Sequence, residues 1–135
     1  MSQAIYIFDT NIISHFVRNP KSSVGSLISH HERGRLILPE AVIYEVERGL
    51  NHIDAKKQLA RFQNDVVPMF NVMPIQLADW KQAALMWAVM RGQGIQLSDV
   101  DLLVAAVSIR LNGVIITDDQ DFDNLPVRAE NWLKQ

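Results

Sequence analysis

No cysteine occurs anywhere in the 135 residues. That excludes disulfides and thiolate metal sites, and makes a reducing cytoplasm the natural compartment. No apolar run approaches the length of a membrane span, so no membrane association is expected. The first residues carry no basic, apolar, small-residue leader pattern. An excess of positive charge is also missing: 13 Lys and Arg stand against 15 Asp and Glu, a formal net charge of −2. Total charge therefore makes no general case for nucleic acid. A bound metal would, however, neutralise clustered acids and leave the remaining surface more positive. Repeats, low-complexity tracts and interdomain linkers are absent. What remains is 48% hydrophobic and 21% charged, the balance of a globular protein with an ordinary core. Residues 1–135 are read as a single domain.

Short runs of β-formers alternate with helical patterns. Residues 4–8, 35–38, 70–73 and 114–116 read as strands, and the tail over 127–132 as an edge strand with a capping aromatic. Helices are expected from Ile12 to the Asn19-Pro20 break, over 22–32, over 39–50, through the polar stretch 51–65, over 77–90, and from 99 to Asn112-Gly113. Strand–helix alternation predicts an α/β fold, a three-layer α/β/α sandwich around a mostly parallel sheet. Leu77, Trp80, Ala84 and Trp87 form an apolar stripe expected to be core or subunit interface. Lys56, Lys57 and Arg61 read as a solvated face.

The chain is organised around Asp99-Val100-Asp101-Leu102-Leu103-Val104-Ala105-Ala106-Val107-Ser108. Its later part suits a helix buried on most sides, yet acids open it. Ser98 or Asp99 can cap the helix, which leaves Asp101 in the first turn on the face of Ala105 and Ser108. A carboxylate facing a packed interior is costly unless it is paired or holds a cation. Other acids stand where they can meet it. Asp9 ends the first strand and Thr117-Asp118-Asp119-Gln120-Asp121 follows the fourth. In open α/β sheets that edge binds ligands. Glu45 lies within the helix over 39–50, one turn before Gly49. A glycine there costs about 1 kcal/mol against alanine; close approach of a backbone or ligand would be a reason to keep it. Plainer readings exist, with Asp9 or Thr10 as a helix cap and Glu45 solvated near a helix end. Converging carboxylates would need a counter-cation, and oxygen-only ligands suit Mg²⁺ or Mn²⁺ over zinc.

Asp9-Thr10-Asn11 after a strand, Glu45-x-x-x-Gly49, Asp101-Leu-Leu-Val-Ala-Ala and Thr117-x-Asp119-x-Asp121-Phe122 occur in that order. Together they resemble PIN-domain ribonucleases, in particular VapC-type toxins of bacterial toxin–antitoxin pairs, over Phe8 through Trp132. The resemblance implies that Asp9, Glu45, Asp101 and Asp119 are the catalytic, metal-site acids. Asp99 is then a cap or outer-shell group, with Asp99 against Asp101 and Asp118 against Asp119 left open as ligands. Thr10, Asn11 and Thr117 would hydrogen-bond the acids or metal water, and Asp121 would cap a short helix beginning near Phe122. The implied chemistry is hydrolysis of RNA, with transfer RNA the expected target, using Mg²⁺ or alternatively Mn²⁺ and leaving 5′-phosphate and 3′-hydroxyl ends. Arg18, Lys21, Arg48, Lys56, Lys57 and Arg91 are candidate phosphate contacts. The implied partners are a VapB-like antitoxin that places a basic side chain among the acids, and a second copy of the chain. Two other readings compete. One is a catalytically silent PIN-fold RNA-binding or interaction protein. The other is a receiver-like Mg²⁺-binding signalling module, against which Phe8 precedes Asp9 where a second acid is expected.

Overall fold

The strands β1 (Tyr6–Phe8), β2 (Leu36–Pro39), β3 (Asn71–Met73), β4 (Val114–Ile116) and β5 (Arg128–Glu130) form one sheet in the order β3-β2-β1-β4-β5. Every pairing in it is parallel. This is a computed structural model, and it describes residues 4–134. Ile7, Phe8, Leu36, Ile37, Leu38, Val114, Ile115 and Ile116 are all buried. Their side chains alternate between the two faces of the sheet, so both faces are covered and the central strands read as unbroken apolar runs. The edge strands differ. All of Arg128–Glu130 is exposed, which keeps that edge polar. The chain steps outward from β1 to β3, then crosses back to lay β4 on the other side of β1. The order therefore reverses between β1 and β4, and the carboxyl ends at such a reversal are where open α/β sheets bind ligands.

The helices are α1 (Thr10–Arg18), α2 (Ser23–Ser29), α3 (Glu40–His52), α4 (Lys56–Arg61), α5 (Leu77–Gly92) and α6 (Asp99–Leu111). Helix α6 is the buried one: Val100 and every residue from 102 to 108 are buried, and Asp101 is half-buried. It ends at Asn112, which takes the left-handed conformation at φ 52°. Gly113 follows because a Cβ there would run into the Ile7 side chain and lie 2.9 Å from the Ile5 carbonyl. That close approach delivers the chain from α6 straight into β4 beside β1. Among the described residues no helix is long and apolar enough to cross a membrane.

Several local expectations change. The expected 51–65 helix is broken: α3 ends at His52, Asp54 takes φ 54°, and α4 starts afresh at Lys56. Helix α2 stops at Ser29, well short of residue 32. Arg61 does not belong to a solvated face. Its guanidinium donates to the Phe16 and Val17 carbonyls at 3.1 and 2.8 Å, capping the end of α1. The stripe on α5 is not core, with Leu77, Trp80 and Trp87 69%, 54% and 45% exposed, and of the two expectations for it only the subunit interface stays open. The buried side of α5 is Asp79, Ala83, Met86 and Met90. Periodicity could not choose a face because apolar residues circle this helix.

Candidate functional site

Parallel pairing sets Phe8 opposite Ile116, so the residues after β1 and β4 emerge side by side. The Asp9 N–H donates to the Ile116 carbonyl at 3.0 Å and carries the pairing one residue further. Asp9 then caps α1, its Oδ1 accepting from the Thr10 N–H at 2.9 Å. The cap reading and the site reading thus apply to one residue. Its other oxygen, Oδ2, accepts from the Thr117 hydroxyl at 2.8 Å. That hydroxyl also accepts from the Asp119 N–H at 3.0 Å and from Asn11 Nδ2 at 3.4 Å. Asn11 Oδ1 in turn accepts from the Asp118 N–H at 3.1 Å. One threonine hydroxyl thereby ties Asp9, Asn11 and the turn after β4 together.

The other acids arrive from helices. Ser98, not Asp99, caps α6: its Oγ accepts from the Asp101 N–H at 3.1 Å. Asp99 is exposed. Glu45 comes from α3, which packs on α6, and its Oε2 pairs with Arg48 Nη2 at 3.2 Å. Asp119 is held in an unexpected way. It caps the 3₁₀ turn Gln120–Asn124 by accepting from the Asp121 N–H at 2.8 Å. The cap expected of Asp121 therefore belongs to Asp119, whose side chain reaches forward over two residues. The Asp118 carboxylate accepts from Asn131 Nδ2 at 2.7 Å.

Electrostatics link the four acids. Burial pushes the Asp9 carboxyl up from its ordinary 3.8 to about 7. Asp101 and Glu45 add to that by repulsion, against the hydrogen bonds from Thr117 and Thr10. Asp101 is also raised, first by burial and then by Asp119 and Glu45, with Ser98 opposing. Such a set of mutually repelling, part-buried carboxylates calls for a cation. The donors are hard oxygens, which fits a divalent ion such as Mg²⁺ or Mn²⁺. Thr10 adds to the fit: beside Asp9 its Oγ1 is buried with no hydrogen-bond partner, a polar atom whose bond is unmet. As they lie, no group of three such side chains among the described residues is close enough to chelate an ion. Binding would have to draw the acids inward.

Glu45 borders two clefts. The larger, about 630 Å³, is lined by Tyr44, Glu45, Arg48, Trp80, Ser98 and Asp99 among others. The smaller, about 210 Å³, includes Ser14, Arg18, Glu45, Gly49 and Gln58. A Cβ on Gly49 would meet nothing within 4 Å, so no protein backbone crowds it. Of the expected phosphate contacts, Arg48 and Arg18 border these clefts, and Arg91 lies over the Trp87 ring at 4.8 Å. Lys21, Lys56 and Lys57 are exposed and line neither cleft. Sequence reasoning did not single out Tyr44 as a cleft wall. An exposed aromatic directly before Glu45, off the apolar stripe of α3, was the available signal.

Comparison with known proteins bears on the same geometry. The family model described as PIN domain matches residues 6–127. Curated proteins yield no match. Solved structures do. A VapBC complex of Salmonella typhimurium bound to DNA aligns with TM-score 0.85 at 16% identity, covering 96% of this chain and 99% of that one. VapBC2 of Rickettsia felis, bound to a promoter DNA fragment, gives 0.82 at 20%, covering 95% and 98%. VapC20 of Mycobacterium tuberculosis, described as a sarcin-ricin loop cleaving toxin, gives 0.65 at 19%, covering 90% and 95%. At these identities the likeness is one of fold.

Proposed function

The chain belongs to the PIN-domain family, and from that premise we propose that it is a divalent-metal-dependent endoribonuclease, the toxin of a VapBC-type toxin–antitoxin pair. The observation that carries this reading is that Asp9, Glu45, Asp101 and Asp119 lie near enough to act on one another: burial raises Asp9 and Asp101 first, and repulsion from the other acids adds to it. Asp9, Asp101 and Asp119 would hold the ion directly or through water, and Glu45 would ligate it or orient the attacking water. When bound, the ion supplies a water of lowered pKa and neutralises charge gathering on the phosphate oxygens. Thr117 holds the Asp9 carboxylate, and Asn11 fixes the turn that carries Asp119. Ser98 sets the start of α6 and hence the position of Asp101. In-line attack by water leaves a 5′-phosphate and a 3′-hydroxyl. Transfer RNA is the proposed substrate, held by phosphate contacts that weaken with salt.

The neighbours of matching fold include complexes named VapBC, which supports a VapB-like antitoxin as partner. The larger cleft suits such a segment, with apolar walls from Tyr44, Ile75 and Trp80 and an acidic rim from Glu40, Glu45 and Asp99. The exposed face of α5, with Leu77, Trp80, Leu85, Trp87 and Val89, is the surface proposed for a second copy of the chain. We place the working protein in the cytoplasm.

One observation favours a silent PIN-fold reading: the acids do not lie within chelating distance as they stand. The test is cleavage of total RNA by purified protein with Mg²⁺, beside Asp101→Asn and an EDTA control, with product ends mapped. Discrete 5′-phosphate products that vanish in both controls are expected. Uncut RNA with measurable Mn²⁺ binding would move the assignment to the silent reading.

A further inference from the structure

Glu45 is the member of the acid cluster that the structure pairs with a cation, and the way it is paired is informative. Arg48 sits one turn along α3 on the same face, with Nη2 3.2 Å from Glu45 Oε2. The Arg48 side chain is 57% exposed and that of Glu45 21%. Such a pair is worth little and opens readily. Arg48 has a second resting contact: its guanidinium lies over the Tyr44 ring, 5.1 Å from the centroid. That contact survives if Glu45 turns away, and it keeps the arginine on the wall of the larger cleft. A guanidinium fork there is suited to a phosphate.

We infer that Arg48 is an exchangeable counter-ion, paired with Glu45 until a divalent ion takes that carboxylate, and then released to a phosphate of the RNA strand crossing the cluster. This rests on the metal-nuclease reading above. Charge balance requires something of the kind. Four carboxylates set against one divalent ion leave excess negative charge, which repels a phosphodiester unless a cation moves in. The ion and Arg48 compete for Glu45 in the resting protein, yet act together once RNA is present.

The two roles predict opposite signs in one variant. Mn²⁺ affinity is measured by calorimetry for wild type, Arg48→Ala, Arg48→Lys and Lys81→Ala, the last removing the same charge from the exposed surface of α5. Arg48→Ala should bind Mn²⁺ about two- to fivefold more tightly, because a competing exposed ion pair is gone. Arg48→Lys and Lys81→Ala should stay within about twofold of wild type. Affinity for a fluorescent single-stranded oligoribonucleotide is then read by anisotropy in Mg²⁺ and in EDTA. Arg48→Ala should lose about five- to tenfold in Mg²⁺ and less than about twofold in EDTA. Unchanged or weaker Mn²⁺ binding in Arg48→Ala would overturn the exchange while leaving the nuclease reading intact. Equal loss of RNA affinity with and without the ion would also overturn it, making Arg48 a plain phosphate contact. Failure of wild type to bind Mn²⁺ at all would remove the metal-nuclease reading and the exchange with it.

Discussion

Two buried aspartates in this protein have almost the same exposure and opposite surroundings. Asp79 is 1% exposed and Asp9 2%. Asp79 meets Arg110 in a two-pronged pair, Nε to Oδ1 at 2.8 Å and Nη2 to Oδ2 at 3.0 Å, and also accepts from the Gln76 N–H at 2.9 Å. That arrangement fastens the start of α5 to the end of α6, and its charge is answered from within the chain. Asp9 has a hydroxyl and an amide as donors, and its charged neighbours are Asp101 and Glu45. A buried carboxylate with its own arginine is part of the scaffold. One whose charged neighbours are other acids is, on the reading proposed above, a place for a cation.

The largest effect that would break this contrast comes from removing the arginine. Arg110→Ala should cost about 3–5 kcal/mol in urea unfolding, because it strands the Asp79 charge in the interior. It should leave Mn²⁺ affinity unchanged. Asp9→Asn should act in the opposite direction, stabilising the metal-free protein near neutral pH by about 1–3 kcal/mol while abolishing Mn²⁺ binding. A loss of stability in that variant would put Asp9 in the same class as Asp79.

The pH dependence follows from the same carboxyl. Asp9 is raised from 3.8 to about 7 on folding. Between those values the folded chain holds the proton more tightly than the unfolded chain. Its contribution to stability is therefore full below the lower value and is lost as pH rises through the upper one. Thermal melts of the metal-free protein should fall across that window, and Asp9→Asn should flatten the slope. Saturating Mn²⁺ should raise the melting temperature most at the alkaline end. The smallest stability effect is expected of Thr117→Val, about 1 kcal/mol from the lost hydroxyl bonds. Its Mn²⁺ affinity should nonetheless drop about 10–100-fold, because Asp9 loses the donor that orients it.

Much of this contrast could be read in the residues, though unevenly. Asp9 and Asp119 were legible because each follows an apolar strand, and strand ends in a parallel sheet converge by topology alone. Asp101 was legible because an acid opening a helix as apolar as α6 has nowhere inexpensive to go. Glu45 was visible through its motif, since a glutamate on an amphipathic helix carries no physical mark of its own. The pair of Asp79 with Arg110 was not legible: the partners are 31 residues apart and meet only when α5 packs on α6. The same distance problem hid Arg61 on the end of α1, and the stack of His31 on Trp132 with ring centroids 5.4 Å apart. Which acid capped the turn after β4 depended on side-chain reach. Asp119 and Asp121 are equivalent as letters, and the structure gives the cap to Asp119.

The most direct test of the central claim counts protons. Mn²⁺ binding is measured by calorimetry at about pH 6 in buffers of different ionisation enthalpy, since a metal displaces the protons of its ligands. With Asp9 raised to about 7, each ion bound should expel about one proton, and this release should fade above about pH 8. Binding without proton release at the lower pH would show that Asp9 is already ionised in the metal-free protein. It would then be no different in kind from Asp79.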